Sequence, residues 1–438
     1  MQNVATILTE GPRSANVPRY PLHTTEPYLQ ALRRTADGSG PGFSPIDGLL
    51  ARSILLFIDG RFVEAETAIL TVLRDSHALC QSDPESFISA LHALFVVQRV
   101  DLIAALLRER HGFSGNFAVA FEADTVGAGC VRWDISPKQE HRFVFDAASL
   151  RGENARLEIL AFHWIFPLLA HYAAQPDQEY GSVPLNRADI GLRAGLAYCD
   201  SRPEYFLIPD CIFVPTRGYQ YARAVYQDNA IAWQDRAEVA FWRGATTGVP
   251  PSPAEWRSLE RIRLCELARR HGQPELFDVG ISSVVQLPDR ESEEVRQSGL
   301  IRAPVPWQEW GRFRYLIDID GNSSPWSNLI QRLMTGSTVL KVESKRGLQQ
   351  WFYDELRPWE NYVPIAPDMS DLIDKVNWLR RNDTVAHAIG RNGLALVTRM
   401  TYERELRRSV PVISAALRYF RGDQADTAPF GRVAARPG

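Results

Sequence analysis

Two polar loops in the second half of the chain contain residue types that hold phosphate groups. Phe241–Gly248 reads FWRGATTG, an apolar run that leads into two glycines, two threonines and Arg243. The second loop lies within Arg314–Leu333, which reads RYLIDIDGNSSPWSNLIQRL. Glycine allows close backbone approach, and hydroxyl and guanidinium groups donate hydrogen bonds to phosphate oxygens. Both loops are candidate anion-binding loops, although an ordinary tight turn would also explain the first.

The second loop is enclosed by a strand, helix, strand pattern. Tyr315–Ile319 is a short apolar run typical of a buried strand, and Asp320–Asn322 is a turn signal. A helix is predicted from Ser327, and a second strand over Thr338–Val342. Such a unit places backbone N–H groups and a helix N-terminus against an anion, usually a phosphate. The pattern therefore indicates a nucleotide ligand.

Charged residues beside this unit have two interpretations each. Lys341 lies near the carboxyl end of the second strand, where open α/β sheets bind ligands, so it could contact a diphosphate; pairing with Glu343 fits the spacing equally well. Asp318 and Asp320 share a strand face and form a DxD pattern, which could hold a divalent metal. An aspartate directly before Gly-Asn is also a natural turn former, and this interpretation is favoured over the metal.

Two carboxylates further upstream are candidate general bases. Asp189 lies in the segment Pro184–Gly191, and Asp210 follows the apolar run Phe206–Ile208. A carboxylate beside a strand end could deprotonate an acceptor hydroxyl. Taken singly, each aspartate is more typical of a helix cap or a turn.

Length and composition predict an ordinary globular protein of two or three domains. The chain has 438 residues, of which 45% are hydrophobic and 23% charged. A formal charge of −3 gives no overall attraction to nucleic acid or anionic lipid. No signal-peptide pattern opens the chain, and the longest apolar stretch, 159–174, is too short and interrupted to span a bilayer. Five cysteines without a CxxC pattern fit a reducing compartment: Cys80, Cys130, Cys199, Cys211 and Cys265.

Four blocks of sequence, in this order, resemble the family 90 glycosyltransferases. That family includes protein O-glucosyltransferases, fungal capsule-associated proteins and bacterial lipopolysaccharide-modifying enzymes. The resemblance covers roughly residues 180 to 410, with a looser match at YFLIPDCIF (205–213). Its blocks are FWRGATTG (241–248), ERIRLCELAR (260–269), RYLIDIDGNSSPWSNLIQRLMTGSTVLKVES (314–344) and WFYDELRPWENYVPIAPDMSDL (351–372).

The resemblance implies a fold of the α/β class with GT-B architecture, in which two Rossmann-like lobes flank a cleft. It also implies a UDP-sugar donor as co-substrate, a saccharide acceptor, inverting transfer, and neither a metal nor another cofactor. The residues expected to contact the donor are Arg243, Gly244, Thr246, Thr247, Asp320, Gly321, Asn322, Ser327, Asn328 and Lys341.

The resemblance also suggests a catalytic base and a branch of the family. Asn186-Arg187-Ala188-Asp189 is the nearest match to the segment that carries the base in the O-glucosyltransferase branch, although its spacing is shifted. Asp189 is therefore the predicted base, and Asp210 is the second choice. The helix entry reads Ser-Pro-Trp-Ser-Asn where that branch has an arginine, which is closer to bacterial members. We expect a cytoplasmic enzyme, with peripheral association at the inner membrane left open, that acts on lipopolysaccharide or another surface glycan and not on nucleic acid.

Patterns along the chain, together with the two lobes that the resemblance implies, predict five segments. A single helix is expected over Val385–Phe420, and three strands of a meander over 117–121, 130–134 and 143–145. The segments are a loosely ordered lead-in (1–42), a helical hairpin of the tetratricopeptide kind with the meander (43–175), a first, acceptor-side Rossmann-like lobe that includes part of the preceding region (176–240), a nucleotide-sugar-binding lobe with C-terminal helices (241–420) and a frayed tail (421–438).

Two alternatives stay open at this stage. The helical hairpin is also compatible with a non-catalytic interaction protein that carries a degenerate transferase domain. The DxD pattern is compatible with a metal-dependent sugar transferase.

Overall fold

The chain forms two compact units in a computed structural model. The described residues are 3–14, 17, 19, 20, 22, 24–39, 44–113, 115–151, 154–270 and 275–422. The first unit contains the described residues up to Ala197 and those from Ser409 onward, and the second runs from Tyr198 to Arg408. Both units combine helices with parallel strand pairs, so the predicted α/β class is confirmed.

The first unit begins with helices and continues into a sheet. Its strands follow the order β1-β3-β2-β4-β5. The elements are α1 (Val4–Glu10), α2 (Glu26–Ala36), α3 (Pro45–Ile58), α4 (Phe62–Asp75), α5 (His77–Ser82), α6 (Pro84–Val96), α7 (Val100–His111), β1 (Phe117–Glu122), β2 (Cys130–Ile135), β3 (His141–Asp146), α8 (Asn154–Ala173), β4 (Gly181–Asn186) and β5 (Gly195–Ala197).

The N-terminal segment is helical where the sequence predicted a loosely ordered lead-in. Buried Glu66 on α4 explains part of this order. Its carboxylate accepts a hydrogen bond from the backbone N–H of Arg13 at 2.9 Å and forms an ion pair with Arg19 at 2.7 Å. A buried carboxylate needs such partners, and these contacts hold the segment between α1 and α2 against α4. Residues 40–43 lie outside the described residues.

The predicted meander is wrong in its pairing, although all three strands are present. In a meander β1 would pair with β2, whereas here β1 runs parallel to β3, and β2 is antiparallel to β3 on its other side. Asp146 at the end of β3 accepts hydrogen bonds from the backbone N–H groups of Thr125 and Gly127, each at 2.9 Å. These hydrogen bonds hold the loop after β1 beside the end of β3. This agrees with the parallel pairing, because parallel strands end at the same edge of a sheet.

The second unit contains a sheet of five parallel strands in the order β11-β10-β9-β7-β8. In chain order this is 2-1-3-4-5, a doubly wound arrangement of the Rossmann-like kind. The elements are β6 (Tyr205–Leu207), α9 (Gln220–Asp228), β7 (Ala237–Ala245), α10 (Glu260–Arg270), β8 (Phe277–Ser283), α11 (Asp289–Gln297), β9 (Phe313–Asp318), α12 (Ser327–Met334), β10 (Thr338–Val342), β11 (Val363–Ile365), α13 (Leu372–Arg381), α14 (Asp383–Arg399) and α15 (Tyr402–Arg421), the last of which ends in the first unit.

The unit boundaries differ from the predicted segments. A boundary at residue 240 would fall inside β7, and the division lies at Ala197 instead. The predicted single helix over Val385–Phe420 is also wrong. It is interrupted after α14, and the Thr401 hydroxyl accepts a hydrogen bond from the backbone N–H of Arg404 in the first turn of α15. The predicted frayed tail lies outside the described residues from 423 onward.

The core of the second unit fixes the strands that carry the candidate site. Trp242 on β7 and Tyr315 and Ile317 on β9 are at most 2% exposed and belong to one apolar cluster, which extends to α10 and α13. Because these side chains are buried in the core, the loops at the strand ends are the part of the sheet that stays free to contact a ligand. No helix among the described residues is both long enough and apolar enough to cross a membrane.

Candidate functional site

The two predicted anion-binding loops meet at the carboxyl edge of the parallel sheet. β7 has β8 on one side and β9 on the other, so the strand order reverses between β7 and β9. In open α/β sheets ligands bind in the crevice outside such a switch point. The loops that leave β7 and β9 there are 246–252 and 319–326, which contain the glycine-rich motifs of the sequence.

Arg261, near the start of α10, joins the two loops. Its guanidinium donates to the Thr247 hydroxyl at 2.6 Å in the first loop. It also donates to the backbone carbonyl of Asp320 at 2.9 Å in the second. The planar guanidinium presents several donors in a fixed geometry, which suits it to hold two chain segments at once. One side chain thus fixes the separation of the loops.

Gly321 and Asn322 complete the contact between the loops. The Asn322 side-chain oxygen accepts a hydrogen bond from the backbone N–H of Gly248 at 3.0 Å. A Cβ on Gly321 would lie 2.6 Å from the Thr247 hydroxyl oxygen and 2.7 Å from a guanidinium nitrogen of Arg261. Only glycine therefore permits this close approach.

The charge of Arg261 is not neutralised by an ion pair. Among the described residues its guanidinium contacts carbonyl and hydroxyl oxygens and no carboxylate. Burial and the nearby Arg332 together lower the pKa of Arg261 to about 10, while the charges of Asp318, Asp320 and Glu260 act in the opposite direction. The group is still protonated at neutral pH. A cation withdrawn from water without a carboxylate partner is typical of a site that receives an anion.

Beneath the loops lies a second charged group. The Asp318 carboxylate, fully buried at the end of β9, accepts a hydrogen bond from Arg332 at 3.2 Å, and its other oxygen lies 4.0 Å from Lys341 Nζ. Burial raises the pKa of Asp318. One side-chain oxygen of Asp320 is buried and has no hydrogen-bond partner among the described residues. Lys341 therefore pairs with Asp318 rather than with Glu343, the partner that the spacing had offered.

Two residues of the first loop are directed elsewhere than the sequence suggested. The Arg243 guanidinium pairs with the Asp278 carboxylate at 2.5 Å and donates to the Ala303 carbonyl at 3.0 Å. The Thr246 hydroxyl both donates to and accepts from the backbone of Val285, at 2.8 Å each way. These contacts of Arg243 and Thr246 hold β7 to its neighbours. The side chains from this region that lie at the contact between the two loops are instead Arg261 and Thr247.

The predicted helix entry is present at the start of α12. Ser327 is its first residue and is 8% exposed, and its hydroxyl accepts a hydrogen bond from Gln331 at 3.2 Å. Trp326, which precedes it, has a positive φ of 48° and supplies no side-chain cap. The first N–H groups of the helix therefore lack a capping side chain, but the N–H of Asn328 already donates to the Pro325 carbonyl at 2.9 Å.

Asp189 lies in the first unit, in an irregular segment after β4. Its side chain is exposed. Asn186, fully buried at the end of β4, holds both ends of this segment together. Its amide donates to the Arg193 carbonyl at 2.7 Å and accepts from the Leu192 backbone N–H at 2.8 Å. Within the predicted Asn186–Asp189 motif, Asn186 therefore positions the loop. Asp189 is not needed for this structural role.

Asp210, the second-choice base, has a structural role in the second unit. Its carboxylate is 1% exposed and accepts hydrogen bonds from the backbone N–H groups of Ile212 and Phe213, each at 2.8 Å. The Tyr219 hydroxyl donates to it at 3.0 Å. Burial raises the pKa of Asp210. The geometry matches the turn-forming interpretation and does not support a role as base.

The DxD pair does not assemble with a third ligand. Within the described part of the chain, no three His, Cys, Asp or Glu side chains form a group that could hold a metal ion. Asp318 is directed to Arg332 and Lys341, as described above. The expectation that transfer needs no metal stays a prediction.

Sequence reasoning missed Arg261 as a functional residue. Arg261 and Arg263 are two apart on a helix and cannot face the same way, so at most one of them can face a given site. The ERIRLCELAR block carried the available signal, because it is one of the blocks of the family resemblance. The spacing alone gave no reason to prefer either arginine.

Comparison with known proteins supports the resemblance. The model of the family described as "Glycosyl transferase family 90" matches residues 219–404, all within the second unit. "Uncharacterized protein 035R" of Invertebrate iridescent virus 3 is 31% identical over 176 residues, which are 36% of this chain and 15% of that protein. "Protein O-glucosyltransferase 3" of Rattus norvegicus is 28% identical over 243 residues, or 51% of this chain and 43% of the rat protein.

The matches are partial in length. This chain spans less than half of the curated relatives it matches. Among solved structures, that of TarM covers 42% of this chain and 38% of its own at 13% identity, with a TM-score of 0.29. A score this low supports no conclusion, and the GT-B arrangement of the lobes stays a prediction. Residues 219–404 nonetheless match the family 90 glycosyltransferase model, and about half of the chain is similar in sequence to a protein O-glucosyltransferase, as the ordered motifs predicted.

Proposed function

We propose that the protein is a glycosyltransferase whose second unit binds the diphosphate of a nucleotide sugar at the carboxyl edge of its parallel sheet. The observation that carries this proposal is the position of Arg261. It is a protonated guanidinium without a carboxylate partner among the described residues, it lies at the switch point of a doubly wound sheet, and it holds both glycine-containing loops. A diphosphate there would supply the missing negative charge.

The groups around Arg261 suit a diphosphate in two further ways. The Thr247 hydroxyl accepts from Arg261 and keeps its own proton for a phosphate oxygen. The start of α12 offers the N–H group of Ser327, which no side chain caps. Lys341 adds positive charge beneath the loops, partly balanced by Asp318. Arg261 takes the role that the sequence assigned to Arg243.

The proposed reaction is a single displacement that inverts the anomeric carbon. The oxygen of an acceptor hydroxyl forms a bond to this carbon while the bond to the diphosphate oxygen breaks, and the leaving diphosphate carries away the electron pair. Asp189 is the proposed base that takes the hydroxyl proton. Arg261 and the N–H of Ser327 at the start of α12 would stabilise the charge on the diphosphate in place of a metal ion.

The proposed substrates are a UDP-sugar and a saccharide hydroxyl. Homology to a protein named as an O-glucosyltransferase supports a hexose or pentose donor and an oxygen nucleophile. The Ser-Pro-Trp-Ser-Asn helix entry supports a bacterial type of acceptor, such as the saccharide of lipopolysaccharide or another surface glycan.

The experiment measures UDP release from UDP-glucose, UDP-galactose and UDP-xylose, with and without saccharide acceptors. We expect one donor to support acceptor-dependent release. Absence of release from every donor, together with no calorimetric binding of UDP, would contradict the proposal. Binding of UDP without turnover would instead favour a degenerate transferase domain.

A further inference from the structure

A large cavity lies at the other end of the sheet from the loop contact. Its volume is about 1270 Å³, and its lining residues lie between 217 and 403, all within the second unit. Arg236 precedes β7 and Gly336 precedes β10, so the cavity faces the amino ends of these strands. The candidate donor site lies at their carboxyl ends. The two sites are therefore separate, and the proposed reaction uses no residue of this cavity.

The charge of the lining is strongly positive. Four arginines face a single carboxylate, that of Glu403, while burial lowers the pKa of the remaining basic residue, His387. Charges of one sign in a concave surface concentrate their field and attract ligands of the opposite sign. The basic residues of the lining are Arg217, Arg223, Arg236, Arg391 and His387.

Only part of this positive charge has a structural task. Arg223 donates to the carbonyls of Gly218, Val397 and Met400, so it holds the chain around α14. By contrast, the guanidinium of Arg391 on α14 forms no hydrogen bond or ion pair with a described residue.

Arg217 and Arg236 are also available to a ligand. The guanidinium of Arg217 has only a ring contact within the described chain, 5.6 Å from the centre of Tyr402. Arg217 also has a positive φ of 49°, which is uncommon for a residue with a side chain and is concentrated at functional sites. Arg236 donates through Nε to Ile231 and through one terminal nitrogen to Ser337, which leaves its other terminal nitrogen for a ligand.

The lining is apolar beside these arginines. Met334 is buried, Ile231 is partly exposed and Leu394 is 39% exposed. Guanidinium groups bind phosphate with paired, charge-assisted hydrogen bonds, while an apolar wall favours hydrocarbon. A ligand that satisfies both parts carries a phosphate group and an apolar portion.

We propose that this cavity is a second binding site, for a phosphorylated ligand with an apolar portion, whose phosphate is held by Arg217, Arg236 and Arg391. The phosphate can belong to a soluble phosphate ester or to a lipid headgroup, which share this chemistry. The site is independent of the donor site, because no lining residue belongs to the loops around Arg261.

The experiment measures binding of two probes to the full chain in the presence of saturating UDP. Inorganic pyrophosphate is titrated by calorimetry, and phosphatidylcholine vesicles with and without phosphatidic acid are tested by flotation. Arg217→Ala and Arg391→Ala are the test variants, since both side chains are exposed and their loss spares the fold. Arg399→Ala, an exposed arginine of α14 outside the lining, is the matched control.

Loss of one charge-assisted contact lowers affinity by roughly tenfold. We expect each test variant to weaken binding by this factor and the control to bind as the unaltered protein does. Binding of pyrophosphate without binding to vesicles indicates a soluble phosphate ester, and binding to vesicles only when they contain phosphatidic acid indicates a lipid headgroup. Binding of neither probe, or equal weakening by Arg399→Ala, would overturn the proposal. UDP affinity should be the same in all three variants, which separates this test from that of the donor site.

Discussion

At the scale of single residues, the candidate site depends on how Arg261 and Gly321 fit together. The guanidinium of Arg261 reaches both loops because Gly321 has no side chain in its path. Without Arg261 the carbonyl of Asp320 and the hydroxyl of Thr247 would lose a shared donor. The geometry of the proposed diphosphate site therefore depends on the guanidinium of Arg261 and on the absence of a side chain at Gly321.

Gly321→Ala is expected to impair both stability and UDP binding. The added methyl would lie within 2.7 Å of two polar atoms, so the loops must separate. Overpacking of this kind costs about 1–3 kcal/mol. Thermal unfolding and UDP calorimetry measure the two effects. Gly311→Ala is the control, because its nearest neighbour would be 3.9 Å away; equal behaviour of the two variants would contradict the close approach at Gly321.

Asp189→Asn tests the proposed base. Loss of a general base lowers the rate by about 10²- to 10⁴-fold, while donor binding does not depend on it. We expect turnover to fall by this factor and calorimetric UDP affinity to stay the same. Asp177→Asn, another exposed aspartate of the first unit, should keep full turnover. Unaltered turnover in Asp189→Asn would exclude the assignment.

The residues of the site were only partly predictable from the sequence. Gly321 and Asn322 were identified because turn signals after an apolar run are local features. Arg243 was chosen because it stands in the glycine-rich motif, yet its partner Asp278 is 35 residues away in the chain. Pairing across that distance follows from β7 lying beside β8, and no local pattern reveals it.

At the scale of elements, α14 is packed directly on the turn that leads into β10. A Cβ on Gly390 would lie 2.4 Å from the Gly336 carbonyl oxygen, and the Thr338 hydroxyl donates to the Ala386 carbonyl at 2.6 Å. This close contact of helix and turn holds the amino end of β10, and β10 carries Lys341.

Gly390→Ala should therefore destabilise the second unit. Alanine favours a helix over glycine by about 1 kcal/mol, but here its methyl would meet backbone atoms that cannot move aside. We expect a net loss of roughly 1–3 kcal/mol in the free energy of unfolding, measured by denaturant titration. Thr384→Ala, at an exposed position of the same helix, serves as the control and should change stability little. A gain in stability for Gly390→Ala would contradict the packing described here.

Elements with strong local signals were predicted well. α12 begins at Ser327 and β10 spans Thr338–Val342, as the sequence indicated. β8 was not predicted, since FDVGISS contains a glycine and a charge, and β11 has only three residues. The pairing of β1 with β3 was missed because strand order depends on contacts distant in sequence.

At the scale of the whole molecule, the fold supports the proposals of one nucleotide site and one separate anion-binding site in the second unit. The order of the parallel strands places the family 90 motifs at the carboxyl edge, while the arginine-lined cavity faces the amino ends. The class of the fold followed from the family resemblance and from the strand, helix, strand pattern around the second loop. The division at Ala197 did not, because the boundary depends on which segments contact each other in space.

Transfer is expected to be independent of divalent metal. In the proposed mechanism, Arg261 and the start of α12 would provide the charge stabilisation that a metal would otherwise supply. UDP release measured with excess chelator should equal that measured without it. Loss of release on chelation, restored by added Mg²⁺ or Mn²⁺, would contradict this expectation and return Asp318 and Asp320 to consideration as metal ligands.

The most direct test of the central claim is calorimetric titration of UDP into the protein and into Arg261→Lys. Lysine keeps the positive charge but lacks the planar fork that reaches both loops. We predict that UDP affinity falls by about tenfold or more. The control Arg263→Lys, on the same helix, should bind UDP as the unaltered protein does. Equal UDP affinity in the unaltered protein and Arg261→Lys would contradict the diphosphate site proposed here.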